Sequence, residues 1–296
     1  MRVSLFIMYL GLSVCVGQVG WAQTIVEKIP AKNPPIVKII EWISCEHDCN
    51  GQTIDKGMVS EFNLDGDLLT YYDGAVPYAH NVHFKYDDQK RVVFMEEYGG
   101  ETHHVYKYVY KADRVMKTIT GTYVNELGFE FFNDKKQVVE TKVFDVNLDT
   151  EALTLKYRHV YNYNENDSLF GVMNYTYLPD GSATKEKMLH WYEPVTNQKR
   201  LTQVYDNEGK LVAEKIYMYN DKGLLYKIME NDHIDELYYQ TKLLYLDGKL
   251  WQSVKDYGRY KEINVYKEDL LVRTRYYNQD TLTYVSDFQY IYAKPK

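Results

Sequence analysis

The chain has 296 residues, of which 45% are hydrophobic and 26% charged, enough apolar content to bury a core. Its formal net charge is −7, from 35 Lys and Arg against 42 Asp and Glu, which argues against a nucleic-acid binder that needs a basic face for phosphates. Tyrosine is unusually abundant, 31 residues beside 10 Phe and 4 Trp, and it favours half-buried pleated surfaces.

Residues 1–22 read as a secretory signal peptide. Arg2 gives the positive start, Val3 to Val19 is largely apolar, and Gly20-Trp21-Ala22 places small residues at a cleavage site. Gly11, Ser13 and Gly17 interrupt the stretch, which is short for a bilayer span. The expectation is an exported chain (periplasmic, cell-surface or secreted) that does not span the membrane after cleavage. Residues 23–56 form an N-terminal lead-in and cap. Lys32-Asn33-Pro34-Pro35 is extended, and Ile36 to Ile43 is a first strand or an edge cover. Cys45 and Cys49 are the two cysteines of the processed chain, and an even count in an exported protein points to a disulfide. A metal site built from Cys45, His47 and Cys49 lacks the second ligand cluster of structural zinc sites.

From residue 57 onward one phrase recurs. Two aromatics alternate at a strand end, as at Tyr108/Tyr110, Tyr161/Tyr163 and Tyr217/Tyr219. A polar turn follows, and an aliphatic stands six residues after the second aromatic, as in Phe62/Leu68, Tyr86/Val92, Phe132/Val138, Tyr163/Leu169, Tyr177/Ala183, Tyr205/Leu211 and Tyr219/Leu225. That spacing predicts a hairpin with a three-residue loop, a type I turn closed by a left-handed residue. Gly66, Gly181, Gly209 and Gly223 occupy the left-handed place, while Lys90, Lys136 and Asp167 there predict weaker turns. Asp247-Gly248 predicts a two-residue turn that pairs Tyr245 with Leu250. Strict alternation puts Leu153, Leu155, Tyr157, His159, Tyr161 and Tyr163 on one face, and likewise Leu282, Tyr284, Phe288, Tyr290 and Tyr292. The repeat of roughly 24 residues predicts an all-β array of antiparallel hairpins over 57–296, forming an extended or curled sheet.

Tyr205-Asp206-Asn207-Glu208-Gly209-Lys210-Leu211 and Tyr219-Asn220-Asp221-Lys222-Gly223-Leu224-Leu225 resemble the YD-repeat phrase of Rhs-type proteins. The likeness covers about residues 57–292 in degenerate form. It implies an exported bacterial protein built on a curling or spiralling antiparallel sheet, which in the large Rhs proteins encloses a toxic cargo. The hairpins here are expected to be too few to close into a shell, which leaves sheet edges open to pairing.

Candidate chemistry is sparse. Asp145, Asn147 and Asp149 alternate as calcium ligands do, although Thr150 stands where a calcium loop wants glycine and Lys156 where it wants glutamate. His80 and His104 lie one repeat apart, with His83 and His103 close by. Glu96, Glu97 and Glu101 form the densest acidic group, the kind of carboxylate set a glycoside hydrolase would use. Tyr71-Tyr72, Tyr238-Tyr239 and Tyr276-Tyr277 put adjacent rings on opposite sheet faces, so that one of each pair can meet a sugar or a protein. The expected function is non-catalytic binding of a protein or glycan of the cell envelope through an aromatic sheet face, with no cofactor apart from the weak calcium candidate. The alternatives are an envelope polysaccharide hydrolase that uses loop carboxylates and an accessory of a toxin-delivery system.

Overall fold

The computed structural model describes residues 35–45, 58–73 and 80–293. The signal peptide, His47 and Cys49 lie outside them. Among the described residues every regular element is a β-strand. The first ten are β1 Ile36–Cys45, β2 Met58–Phe62, β3 Leu68–Asp73, β4 His80–Tyr86, β5 Val92–Gly99, β6 Thr102–Tyr110, β7 Arg114–Gly121, β8 Asn125–Phe132, β9 Val138–Val146 and β10 Leu153–Tyr163. The second ten are β11 Leu169–Tyr177, β12 Ala183–Tyr192, β13 Lys199–Tyr205, β14 Leu211–Tyr219, β15 Leu225–Asp232, β16 Leu237–Leu246, β17 Lys249–Asp256, β18 Tyr260–Lys267, β19 Leu270–Asn278 and β20 Thr281–Tyr292.

Each strand pairs antiparallel with the next, and β1 pairs with both β2 and β20. The sheet is therefore a closed barrel of 20 strands. The sheet read as extended or curled is curled to full closure, which corrects the expectation of open sheet edges. β1, read from the sequence as part of a cap or edge cover, lies in the ring between the first and last hairpins. It contributes Ile39↔Ser60 on one side and Ile39↔Tyr290 on the other. Among the described residues the sheet has no free edge, and so none of the exposed rows of unpaired backbone groups that edges present.

The hairpin scheme is realised turn by turn. Phe62 faces Leu68, Tyr86 faces Val92, Phe132 faces Val138, Tyr163 faces Leu169, Tyr177 faces Ala183, Tyr205 faces Leu211, Tyr219 faces Leu225 and Tyr245 faces Leu250. The residue after the aromatic shapes the turn. Asn63, Asp87, Asn133, Asn164, Asp206 and Asn220 each accept, on the side-chain oxygen, the N–H groups two and four residues on. These oxygens hold the loop in the turn that the backbone needs. The left-handed position has φ 80° at Gly209, and φ 61°, 60° and 60° at Lys90, Lys136 and Asp167. Lysine and aspartate therefore adopt the glycine conformation at a cost of about 1–2 kcal/mol each.

Bulges change which residues share a face. The register shifts between Leu155 and Tyr157, so Leu155 faces Phe144 while Tyr157 faces Val143 on the opposite side. Strict alternation over Leu153–Tyr163 is thereby corrected: Leu153 and Leu155 fall on one face, Tyr157, His159, Tyr161 and Tyr163 on the other. A shift between Tyr276 and Tyr277 likewise pairs Tyr284 with Tyr276 but Leu282 with Tyr277. It separates Leu282 from Tyr284, Phe288 and Tyr290.

Burial tells the two faces apart. Phe62, Val82, Phe84, Met95, Val115, Val143, Val172 and Leu243 are buried on one face, together with Glu41, Glu126, Thr202, Ser253, Thr274 and Ser286. Trp42, Tyr72, Tyr98, Val109, Leu153, Trp191, Tyr238 and Leu244 are exposed on the other, which buries Ile40 and Val285 beside the seam. On a closed sheet the concave side crowds its side chains, so the first is the inner wall. Most inner side chains are half-buried rather than buried. Among the described residues no strand comes within 8 Å, Cα to Cα, of any strand but its two ring neighbours. Twenty strands at ~4.8 Å spacing make a ring roughly 30 Å across, or about 40 Å with the usual strand tilt.

Candidate functional site

The inner wall carries most of the tyrosines, and six of them do a common structural task. Tyr86, Tyr110, Tyr163, Tyr192, Tyr245 and Tyr290 stand at or near the ends of even-numbered strands. Each hydroxyl donates to the carbonyl of Leu68, Val92, Val138, Leu169, Leu225 or Leu271, respectively, at the start of the preceding strand, over 2.6–2.8 Å. Burial raises the pKa of all six, Tyr86 to about 12. These rings tie neighbouring strands together around one rim.

The predicted tyrosine pairs divide between the faces. Tyr71, Tyr239 and Tyr276 lie on the inner wall, while Tyr72, Tyr238 and Tyr277 pair with outer-face residues. Closure at β20–β1–β2 brings Tyr71 and Tyr276 to one patch although they are far apart in the chain. At its centre is Glu41, buried on β1, whose carboxylate accepts the Met58 amide at 3.2 Å. Burial raises its pKa against the opposing Ser286 and Met58 hydrogen bonds. The same carboxylate acts on Tyr71, Tyr276 and Tyr284, whose pKa values rise chiefly through burial.

On one side of this seam Tyr276 stacks on Tyr284 with ring centres 4.1 Å apart, and Tyr239 meets Tyr257 edge-on at 5.2 Å. Lys255 and Glu262 face each other across β17 and β18 beside them. On the other side the Tyr71 hydroxyl donates to the Met58 sulfur at 2.8 Å, and the Tyr71 ring meets His80 edge-on at 6.3 Å. His80 Nε2 donates to Glu97 at 2.6 Å, and the Tyr106 hydroxyl donates to the same carboxylate at 2.7 Å. Burial pushes the Glu97 pKa up, but the Tyr106 and His80 bonds outweigh it and hold the carboxyl below its ordinary range. The result is an aromatic and acidic band from β16 across the seam to β6. Its rings offer faces for stacking, and its carboxylates offer acceptors for hydroxyls. No sequence signal marked Glu41, because only closure brings it to Tyr71 and Tyr276; Tyr257 and Tyr284 instead meet Tyr239 and Tyr276 across adjacent strands, in pairs that only strand register reveals.

The other candidates are dispersed. Asn147 Oδ1 accepts the Asp149 and Thr150 amides at 3.0 Å each, and Asp145 accepts Lys156 Nζ at 3.1 Å. These oxygens serve a turn and an ion pair, and among the described residues no group of three His, Cys, Asp or Glu is placed to hold a metal. His80 and His104 flank Glu97 on the inner wall, whereas His83 and His103 lie outside, His103 stacked on Tyr98 at 4.4 Å. Glu96 and Glu97 project to opposite faces of β5, so they cannot flank one glycosidic bond. The outer face also bears a depression of about 380 Å³ lined by Lys185, Lys187, Leu189, Tyr205 and Asn207.

The strand pairing and the two walls define a closed, antiparallel, up-and-down β-barrel. No protein-family model matches the chain, and no curated protein is similar to it. Among solved structures it is similar to a porin-like protein from Bacteroides uniformis ATCC 8492, at 11% identity and a TM-score of 0.39, over 87% of this chain and 97% of that one. A porin-like protein from Bacteroides vulgatus ATCC 8482 matches at 10% identity and 0.27, over 71% and 94%. A TcdB2-TccC3-Cdc42 structure matches at 12% identity and 0.22, over 79% of this chain but 16% of that one. At such scores closure and wall assignment rest on this chain's own pairing.

Proposed function

We propose that the chain is an exported, non-catalytic binding barrel of the cell envelope that takes a glycan on the aromatic and acidic band of its inner wall. The observation that supports this most is the gathering of Tyr71, Tyr239, Tyr257, Tyr276 and Tyr284 with Glu41, Glu97 and Glu262 at the seam. The ring size favours a glycan over a folded protein. A domain of about 100 residues has a radius of gyration near 13 Å, hence a diameter of roughly 34 Å, and fills or exceeds the ring once wall side chains are counted. A sugar chain fits and exposes pyranose faces to the tyrosine rings.

The outer wall supports a barrel in water rather than in acyl chains. Lys107, Lys142, Arg158, Lys187, Lys242, Arg273 and Arg275 lie near the middles of their strands on that face. Each Lys or Arg at a bilayer midplane costs about 2–4 kcal/mol, so seven would cost roughly 14–28 kcal/mol, from the top of a domain's usual stability to well above it. The accessory role in toxin delivery rests on the YD-repeat resemblance alone.

The test is calorimetric titration of the signal-free chain, prepared without detergent, against a panel of neutral oligosaccharides. The expected result is saturable binding without hydrolysis that weakens at least tenfold in Tyr276→Ala, with an unchanged circular dichroism spectrum. Binding to no sugar in the panel, cleavage of the sugar, or spontaneous insertion into vesicles with ion conductance would each overturn the reading.

A further inference from the structure

The inner wall has a second charged area, on β12–β14, eight strands from β1 around the ring and so roughly 40 Å along the wall. Its chemistry is opposite to the seam's. Lys199 begins β13 and pairs with Tyr192 at the end of β12. Its ammonium lies 5.9 Å from the ring centres of both Tyr192 and Tyr217. Among the described residues no carboxylate balances it, and the charge acting on Lys199 is the second lysine, Lys215. Lys215 is itself held by Glu230 at 2.9 Å. His190 stands one inner-facing position further along β12, with Nδ1 2.9 Å from the Thr202 hydroxyl. Burial and Lys199 hold its pKa down to about 4, so the ring is neutral at pH 7 and free of the cost of a third charge.

A half-buried cation is normally paired, and burial first, then the Lys215 charge, disfavour Lys199 in its charged form. Tyrosine faces recover part of that loss, as cation–π contacts at the outer limit of useful range. An anion seated between Lys199 and Lys215 would recover the rest. Glu41 at the centre of the seam does not interfere, because its distance is several times the roughly 8 Å screening length at physiological salt, and Glu262 on β18, four strands or about 19 Å from β14, still lies beyond twice that length.

We propose that this wall is a second site, which binds the carboxylate of an acidic sugar while the Tyr192 and Tyr217 rings face its pyranose. The proposal rests on the inner wall being the glycan-binding surface. It adds the charge of the ligand and the residues that read it.

The experiment titrates the full processed chain with an oligogalacturonate and with a neutral oligosaccharide of the same length, at low and high salt. The expected result is at least tenfold tighter binding of the uronate at low salt, a preference that added salt removes. Lys199→Gln should lose the tenfold preference and keep the neutral affinity, and Lys199→Arg should retain most of it. Tyr276→Ala at the seam should weaken the neutral sugar and leave the uronate preference in place. Unchanged uronate binding in Lys199→Gln would overturn the second site while leaving the seam reading intact. Failure of both sugars with the wild-type chain would sink the glycan reading itself. A polyglutamate peptide that competes as well as the uronate would overturn the assignment to a sugar.

Discussion

Removing the six rim hydroxyls is the sharpest perturbation of the barrel itself. Tyr110→Phe deletes the 2.8 Å bond to the Val92 carbonyl and leaves ring packing unchanged. A single hydrogen bond of this kind contributes about 1 kcal/mol net, somewhat more if the carbonyl is then left dry. Donors two or more strands apart are separated by about 10 Å or more, far enough for their effects to add. Phe at all six positions should therefore cost roughly 6 kcal/mol, against a typical total of 5–15 kcal/mol. Urea titration followed by tyrosine fluorescence measures this directly. The same groups predict an alkaline transition. Folding raises the Tyr86 pKa from 10.0 to about 12, so the stability it contributes is complete below pH 10 and is lost as pH rises through 12. The sixfold variant should show a shallower alkaline transition, because Tyr71, Tyr106, Tyr276 and Tyr284, also raised by burial, still titrate there. If it falls within about 1 kcal/mol of the wild type in urea, the rim bonds do not hold the barrel and the reasoning fails.

Other outcomes follow from local geometry. A methyl group on Gly121 would lie 2.0 Å from the His104 ring and 2.8 Å from the His103 carbonyl, which cannot yield as a side chain can. Gly121→Ala should cost about 1–3 kcal/mol by thermal melting. Gly171→Ala, whose added carbon meets nothing closer than 3.5 Å, should be nearly neutral. At the turns Gly209→Ala, at φ 80°, should lose about 1 kcal/mol, while Lys90→Gly, at φ 61°, should gain several tenths in the same melts. Glu97 has a folded pKa below the ordinary 4.5, so its contribution is present above that pH and disappears as pH falls through the lowered value. Melting temperatures of Glu97→Gln between pH 3 and 6 should show a flatter acid limb, with Tyr106→Phe in between; an unchanged limb would remove Glu97 from the band's electrostatics.

The sequence by itself determined the local pairing. An aromatic, then Asn or Asp, then a left-handed residue and an aliphatic six places on from the aromatic encode one turn geometry within seven residues. Loop register needs nothing beyond those residues, which is why pairs such as Phe62/Leu68 and Tyr219/Leu225 are legible in the chain alone, as is Tyr245/Leu250 from its shorter Asp-Gly turn. Faces were only partly legible. A bulge inserts one residue and reverses the alternation beyond it, and its position, as at Lys156, is fixed by the neighbouring strand rather than by the strand's own pattern. Closure was decided by tertiary structure alone. Whether hairpins spiral or meet depends on small twists summed over the whole array, and on β1 having partners on both edges. The seam band depends on the same event, because Glu41, Tyr71, Tyr276 and Tyr284 come from the two ends of the array and share no local signal. Lys199 carries no local signal for a similar reason: that no carboxylate among the described residues balances it becomes visible only once the strands beside it are known.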